Sequence, residues 1–341
     1  MNKAYIKGIA SYLPESTLDN QTLANQYPQW SVDRIEEKTG ISSRHIIAHN
    51  ENVSDMAVYS VEKLLKNCNL ERSEIDYLLL CTQSPDYLLP TTACIVQDRL
   101  GLPTSCGALD FNLGCSGYVY GLSLAKGLIE SNQAKNVLLI TSEAYSRYIN
   151  HGDKSVRSLF GDGATTTLIS TSEKETLSSF VFGTDGSGFE NLIVPHGGSR
   201  NPISNESYIE REDKDGNIRS DKDIYMNGPQ ILVFTLRVVP TMMREILLKA
   251  NCSIEDIDFF VLHQANKFLL SQLKDLLEIP EEKFLTSYEN YGNTVSSTIP
   301  LGLELDAHRF KSGDRILIMG FGVGYSWGGC VITWSSGYIR S

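Results

Sequence analysis

The sequence lacks a long apolar run. None of its 341 residues belongs to an uninterrupted apolar stretch near the roughly 18 residues that a transmembrane helix needs. The first residues, MNKAYIKGIASYLPES, also lack the continuous apolar segment of a signal peptide and are predicted to form a strand. We therefore expect a cytoplasmic protein that has no membrane contact.

Paired cysteines are also missing. The seven cysteines are scattered, with no C-x-x-C pair and no histidine at the spacing of a metal site; they lie at positions 68, 81, 94, 106, 115, 252 and 330. An odd and dispersed set favours reduced thiols in a reducing compartment. The sequence predicts neither a disulfide framework nor a bound metal.

Basic charge is scarce. Lys and Arg number 30 against 41 Asp and Glu, which gives a net charge of −11. Because neutralising phosphates needs a basic face, this balance argues against a general nucleic-acid-binding protein. An acidic protein partner remains compatible with a local basic patch.

What the chain does contain is an internal repeat. Four segments recur in the same order in both halves: EIDYLLLC (74–81) and DIDFFVLH (256–263), DRLGLP (98–103) and DLLEIP (275–280), NLGC (112–115) and NYGN (290–293), NVLLI (136–140) and DRILI (314–318). Near-continuous apolar strands are typical of sheets covered on both faces. We predict a duplicated α/β fold with α/β/α/β/α layers, divided into residues 1–172 and 173–341.

Cys115 lies between two glycines in NLGCSGYVYGLSLA, after the predicted strand ALDFN and at the start of a predicted helix. The positive end of a helix favours a thiolate, and the glycines permit a sharp turn. A small, inert, buried cysteine is the alternative interpretation. The repeat favours the reactive one, because it places Cys115 at a strand end that faces a cleft between the halves.

His263 and Asn293 are predicted to share that cleft. His263 ends the strand FFVL, and Asn293 lies in the glycine turn YGNTVSS. A thiol with neutral donors suits covalent acyl transfer, and a neutral His and Asn can also stabilise an enolate formed by loss of CO₂. Taken singly, His263 is more simply interpreted as a core residue and Asn293 as a turn former or helix cap. Taken together, the functional interpretation is the stronger one.

Two glycine-rich stretches accompany these residues. GFGVGYSWGG (320–329) matches neither a dinucleotide-binding fingerprint nor a P-loop. It is predicted to bring backbone N–H groups close to the cysteine as an oxyanion hole, to turn between strands, or both. LFGDGA (159–164) is assigned a structural role, and the charged segment 208–223 is predicted to be an exposed hairpin or loop turning at Asp215-Gly216.

The motifs GCSG, LHQANK, YGNTVSSTIP, LFGDGA and FGVGYSWGG together resemble those of the β-ketoacyl-acyl-carrier-protein synthase III family, within the thiolase superfamily, over about residues 3–335. The resemblance implies a thiolase-like five-layered fold, a homodimer, and no metal or redox cofactor. It implies that Cys115 is the nucleophile and that His263 and Asn293 form the decarboxylation site. The implied oxyanion hole consists of the backbone N–H groups of Cys115 and Val323, with Phe321 beside the thiol.

The implied reaction has two steps. An acyl group passes from a coenzyme A or carrier-protein thioester to Cys115, and the enolate formed from malonyl-acyl-carrier protein then attacks it to give a β-ketoacyl product. The product would serve fatty-acid biosynthesis or initiation of a specialised polyketide. Asn293 distinguishes the chain from thiolases, whose site residues resemble Cys-His-Cys, and from elongating ketosynthases, whose site residues resemble Cys-His-His. The loop CTQSPDYLLPTT (81–92) has only Asp86 where a hydroxymethylglutaryl-coenzyme A synthase would need glutamate.

The residues implied to bind substrates depart in part from the family pattern. Arg34 stands where a tryptophan often stacks on adenine, Lys154 where an arginine is common, and Phe268, next to Lys267, where the carrier-protein patch has arginine. Leu89 occupies the place of a bulky aromatic that often blocks the acyl pocket, which indicates a longer or branched starter. The implied substrate-binding set is Leu89, Phe321, Arg34, Lys154, Lys267 and Asn266.

Two other functions stay open at this point. In one, the acyl group on Cys115 passes to an alcohol, amine or thiol acceptor instead of a malonyl group, and the departures from the family pattern at the substrate-binding positions motivate this alternative. In the other, the chain is a catalytically silent partner that binds acyl chains or carrier proteins. The intact set of Cys115, His263 and Asn293 argues against a silent partner.

Overall fold

The structure is a computed structural model that describes residues 2–28 and 30–339. Its strands are, in chain order, β1 (Lys3–Tyr12), β2 (Thr17–Asp19), β3 (Ser43–His45), β4 (Tyr77–Cys81), β5 (Gly107–Phe111), β6 (Asn136–Glu143), β7 (Gly163–Ser172), β8 (Leu177–Thr184), β9 (Leu192–Ile193), β10 (Arg211–Glu212), β11 (Ile218–Arg219), β12 (Tyr225–Met226), β13 (Phe259–Leu262), β14 (Arg315–Gly322) and β15 (Ser326–Thr333).

The helices alternate with these strands. They are α1 (Asn20–Gln26), α2 (Val32–Thr39), α3 (Val53–Cys68), α4 (Thr92–Arg99), α5 (Gly117–Glu130), α6 (Lys154–Arg157), α7 (Gly228–Ala250), α8 (Lys267–Leu276) and α9 (Thr298–Asp306). Among the described residues, every helix is too short or not apolar enough to span a bilayer.

Two large sheets repeat one topology. The first has the order β1-β7-β6-β4-β5, in which β5, β4 and β6 are parallel, β7 is antiparallel to β6, and β1 is antiparallel to β7. The second has the order β13-β14-β15-β8, in which β13 and β14 are parallel, β15 is antiparallel to β14, and β8 is antiparallel to β15. The counterpart of β5 is reduced to a single bridge between Phe260 and Phe284. The predicted duplication of the fold is confirmed.

Three apolar cores separate the five layers. Helices α5 and α9 lie between the sheets and contact strands of both, whereas α3 and α4 cover the first sheet and α7 and α8 cover the second. Alternate residues of β6 serve two cores, because Leu139 faces the layer between the sheets and Leu138 faces α3. This double burial explains the near-continuous apolar strands of the sequence.

The strands of the two sheets come from separate parts of the chain. Those of the first lie within residues 3–172, and those of the second within 177–333. This separation supports the division into 1–172 and 173–341, which we retain as the proposed domain organisation. Between them, β10 and β11 form the predicted charged hairpin, with Gly216 in the left-handed region at φ 75°.

Candidate active site

Cys115 lies in the turn between β5 and α5. The turn is closed by the Gly117 N–H, which donates to the Gly114 carbonyl at 2.8 Å, and the cysteine is buried. Strand β14 passes close to it: a Cβ added at Gly322 would lie 2.8 Å from the Cys115 Sγ, and one added at Gly320 would lie 2.5 Å from the Cys115 carbonyl oxygen. The glycine-rich stretch therefore provides the close backbone approach that the sequence predicts.

We expect Gly322→Ala to slow acylation of Cys115 by about tenfold or more, because its methyl group displaces the thiol, and small displacements in an active site have large effects on rate. The rate is measured as mass gain of the intact protein with an acyl-coenzyme A. The matched control is Gly127→Ala, on the exposed side of α5, where an added Cβ contacts nothing within 4 Å. A Gly322→Ala variant that acylates at the wild-type rate would show that the close approach does not matter.

The charge state of the thiol differs from the prediction. Burial raises the pKa of Cys115 to about 12, the nearby Glu143 adds to the rise, and hydrogen bonds from the backbone N–H groups of Cys115 and Val323 act against it. The free protein thus holds a neutral thiol at pH 7, so the prediction of a thiolate favoured by the helix end is wrong for this state. Removal of the sulfur from water outweighs the helix end.

The raised pKa predicts the pH dependence of alkylation. Because only the thiolate reacts, the rate at which iodoacetamide modifies Cys115 should keep rising from pH 7 through pH 10. The modified Cys115 peptide is quantified by mass spectrometry, with Cys115→Ser confirming the assignment. A rate that levels off below pH 8 would contradict the buried, neutral thiol.

His263 follows directly after β13, and its backbone N–H donates to the Met319 carbonyl at 2.8 Å. Its ring is buried, which lowers the pKa of the imidazole to about 3 and keeps the ring neutral. Nδ1 lies 2.7 Å from the Thr298 hydroxyl, and Nε2 lies 3.5 Å from Nδ2 of Asn293. The Phe321 ring packs beside the imidazole nearly at a right angle, with 5.8 Å between the ring centroids.

Asn293 is held by the other half of the fold. Its N–H donates to the Leu159 carbonyl at 2.9 Å, and its own carbonyl accepts from the Gly161 N–H at 3.0 Å, so LFGDGA has the structural role predicted for it. The Asn293 Oδ1 accepts from the Val295 N–H at 2.9 Å. With Oδ1 occupied, the NH₂ group is the one turned toward His263.

One cavity, open to the surface near Phe268, is lined by all three groups. Its volume is about 390 Å³, and Cys115, His263, Asn293, Phe321 and Asn266 line it together with mainly apolar side chains. The structure thus brings together the three residues that the sequence selects for chemistry. The predicted roles of these residues stay predictions.

A second cavity of about 600 Å³ lies on the other side of Leu192, which lines both. Val323 lines this second cavity together with Gln83 and three tyrosines, Tyr87, Tyr145 and Tyr148. The Tyr145 hydroxyl donates to Oε1 of Gln83 at 2.5 Å. We find no signal in the sequence that marks these residues in advance.

Glu143 is a further buried group that the sequence analysis missed. It accepts hydrogen bonds from the Gln83 N–H and from the hydroxyls of Ser84 and Ser296, and burial raises its pKa to about 8. Its position at the end of β6, in NVLLITSE, could have marked it, since Cys115 and His263 also follow strands. It ties three segments near the thiol together.

The predicted substrate-binding residues are more dispersed. Phe321 and Asn266 line the first cavity, and the Asn266 Oδ1 accepts from the Leu269 N–H at the start of α8. Arg34 and Lys267 are exposed, the latter packed close to Gly40 at the end of α2. Neither residue lines the first or the second cavity.

Leu89 and Lys154 lie outside the lining of both cavities. Leu89 is 83% exposed and lines neither cavity. The Lys154 ammonium group is buried and donates to the Asp215 carbonyl at 2.5 Å, so it holds the charged hairpin. The phosphate contact that the resemblance implies for Lys154 stays a prediction.

No metal site is apparent in the described ranges 2–28 and 30–339, where no group of three or more His, Cys, Asp or Glu side chains is arranged to hold an ion.

The duplicated sheets and the shared cavity define a thiolase-like α/β protein. Family models confirm and narrow this class. The 3-oxoacyl-[acyl-carrier-protein] synthase III model matches residues 109–186, and the model of that family's C-terminal part matches residues 247–334.

Full-length relatives agree. The β-ketoacyl-[acyl-carrier-protein] synthase III of Clostridium perfringens is 37% identical over 335 residues, 97% of this chain and 99% of the relative. A crystal structure of a 3-oxoacyl-(acyl-carrier-protein) synthase III is 49% identical, with a TM-score of 0.96 over 97% of this chain and 100% of that one. A 3-oxoacyl-(acyl-carrier protein) synthase from Burkholderia xenovorans is 33% identical, with a TM-score of 0.91 over 99% and 96%. The chain belongs to the 3-oxoacyl-[acyl-carrier-protein] synthase III family.

Proposed function

We propose that this protein is an acyltransferase that loads an acyl group onto Cys115 and condenses it with malonyl-acyl-carrier protein by decarboxylative Claisen condensation. The observation that carries the proposal is the shared cavity of Cys115, His263 and Asn293, with 3.5 Å between the His263 Nε2 and the Asn293 Nδ2. The names of its relatives support the same activity.

In the first step, the Cys115 sulfur attacks the thioester carbonyl of a coenzyme A or carrier-protein donor. The thiol proton leaves with the departing donor thiolate, and the backbone N–H groups of Cys115 and Val323 stabilise the oxyanion. Both N–H groups already act on the sulfur in the free protein. The 600 Å³ cavity beside Val323 offers space for the acyl chain.

In the second step, the C–CO₂ bond of the malonyl group breaks, and its electron pair forms an enolate on the thioester. The Thr298 Oγ1 lies 2.7 Å from Nδ1 of His263 and donates to the Val295 carbonyl at 3.0 Å; when this hydroxyl turns to donate to Nδ1 instead, the ring hydrogen lies on Nε2, beside the Asn293 NH₂ group. Two neutral donors then converge on the enolate oxygen. The enolate carbon bonds to the acyl carbonyl carbon as the C–S bond to Cys115 breaks, and the released thiolate takes a proton from water. Neutral groups suit this task because a carboxylate there would repel the developing charge.

The remaining parts of the proposal concern partners and location. We propose a cytoplasmic homodimer that uses an acyl-coenzyme A or acyl-carrier protein as donor, without a metal or redox cofactor. Arg34 and Lys267 are proposed to contact the donor or carrier from the surface, and Leu89 to influence the starter across the dimer or through its loop. The reaction supplies β-ketoacyl chains for fatty-acid biosynthesis.

The test is incubation with a panel of acyl-coenzyme A donors, followed by malonyl-acyl-carrier protein. Intact-protein mass should increase by one acyl group, and addition of malonyl carrier should release a β-ketoacyl product. Acyl-enzyme without product or CO₂ would favour transfer to another acceptor. Failure to acquire any acyl group across the panel would favour the silent partner.

A further inference from the structure

The second cavity is lined by a row of hydrogen-bonded polar side chains that have no role in the two steps above. The Tyr145 hydroxyl donates to Oε1 of Gln83 at 2.5 Å, and Nε2 of Gln83 donates to Oδ1 of Asn112 at 2.8 Å. All three residues line the cavity. We call Tyr145, Gln83 and Asn112 the polar row.

The polar row lies next to the nucleophile. Gln83 and Val323 both pack against Gly114, the residue before Cys115: a Cβ added at Gly114 would lie 2.6 Å from Oε1 of Gln83 and 2.5 Å from Cγ1 of Val323. The Gln83 amide thus flanks the same turn as Val323, whose N–H acts on the Cys115 sulfur. An acyl chain that extends from Cys115 into this cavity therefore meets the row within its first few carbon atoms.

The polar row also keeps free hydrogen-bonding capacity. The bond to Asn112 uses one of the two Nε2 hydrogens of Gln83, and the Asn112 NH₂ group makes no hydrogen bond to the described residues 2–28 and 30–339. Asn112 is exposed and Gln83 is partly exposed, so a chain that enters the cavity reaches both amides. A purely alkyl chain would displace water from these amides without replacing its hydrogen bonds, which costs free energy. The row therefore favours a chain that has a hydrogen-bonding group of its own.

The charges around the cavity restrict that group further. Among the described residues, the lining contains no Lys or Arg, and it includes Asp86. A carboxylate on the acyl chain would lose much of its hydration here without gaining a cation, in the same cavity as the Asp86 carboxylate. An uncharged hydroxyl avoids both penalties.

We propose that the acyl group loaded onto Cys115 carries an uncharged hydrogen-bonding group, such as a hydroxyl, within its first few carbons, and that the amides of Gln83 and Asn112 bind this group. The inference rests on the proposed function, because it concerns the chain transferred in the first step. The transfer itself is unchanged: the Cys115 sulfur bonds to the acyl carbon, the donor thiolate leaves, and the hydroxyl keeps its proton. A site that hydrogen-bonds a substrate hydroxyl discriminates against the analogue that lacks it.

The test compares the kcat/KM for loading of Cys115 from four donors with chains of four carbons: the coenzyme A thioesters of butyrate, 3-hydroxybutyrate, 4-hydroxybutyrate and succinate. We expect at least one hydroxyacyl donor to load about tenfold or more faster than butyryl-coenzyme A, and succinyl-coenzyme A to load most slowly. Gln83→Leu, which removes the amide at similar volume, should reduce the preference for the hydroxyl to within about twofold. Loading is measured as mass gain of the intact protein.

The matched control is Gln133→Leu, an exposed glutamine outside both cavities, which should keep the wild-type preference. If Gln83→Leu does not fold, Asn112→Leu takes its place in the same comparison. Butyryl or succinyl loading as fast as both hydroxyacyl donors would overturn the inference, and so would a wild-type preference in Gln83→Leu. Failure of the proposed function itself is recognised separately, because the wild-type protein would then load none of the donors or release no CO₂ from malonyl carrier.

Discussion

Replacing Cys115 by alanine should abolish acyl-enzyme formation and reduce condensation by at least about a thousandfold, as expected when the nucleophile of a covalent mechanism is removed. The sulfur sits where the backbone N–H groups of Cys115 and Val323 can stabilise an oxyanion, and no nearby cysteine has that placement: Cys81 points its sulfur at the Leu113 carbonyl, 3.0 Å away. The measurement is intact-protein mass after incubation with acyl-coenzyme A.

The control is Cys252→Ala, a partly exposed cysteine outside both cavities, which should acquire the acyl group as the wild type does. Cys115→Ser should also fail to acquire a stable acyl group at the wild-type rate. If the Cys115→Ala protein gained the same mass as the wild type, another residue would be the nucleophile, and the assignment of the site would fall.

Replacing His263 or Asn293 by alanine should separate the two steps. We expect decarboxylation to fall about 100- to 1,000-fold, as for the loss of a donor to a developing oxyanion, while acylation of Cys115 stays close to the wild-type rate. Asn293→Asp should be at least as damaging as Asn293→Ala, because its carboxylate has the same shape but repels the enolate. The measurements are CO₂ release from malonyl carrier and mass gain from acyl-coenzyme A.

His308→Ala, on the surface, is the matched control for His263→Ala and should change neither step. The folding of each variant is checked by its Tm. Asn293 bonds to Leu159 and Gly161 through its backbone, so these hydrogen bonds should survive the substitution and the Tm should change little. Equal losses of acylation and decarboxylation in Asn293→Ala would contradict its assigned role.

The sequence was sufficient for the fold because the fold is repeated. The segments ending in Cys81 and His263 became the equivalent strands β4 and β13, and the segments NVLLI and DRILI became parts of β6 and β14. Strands that are buried on both faces appear in the sequence as near-continuous apolar runs, and close backbone approaches appear as glycines. The same repeat placed Cys115, His263 and Asn293 at strand ends and turns that meet in one cavity.

The pKa of the thiol and the contacts of some site residues could not be predicted from the sequence, because they depend on burial and on packing between distant segments. The pKa of Cys115 was predicted with the wrong direction, because the helix end is visible in the sequence while the loss of water around the sulfur is not. Lys154 matches a basic motif position, but its hydrogen bond to the Asp215 carbonyl of the charged hairpin depends on distant packing that the sequence does not show.

The most direct measurement of the central claim is a single turnover of isolated acyl-enzyme with malonyl-acyl-carrier protein, with CO₂, acyl-enzyme and product counted in the same sample. If one thiol, one imidazole and one carboxamide act in a common cavity, each acyl-cysteine that disappears should yield one CO₂ and one β-ketoacyl product. Loss of the acyl group without CO₂, or release of CO₂ with the acyl group still on Cys115, would contradict that claim.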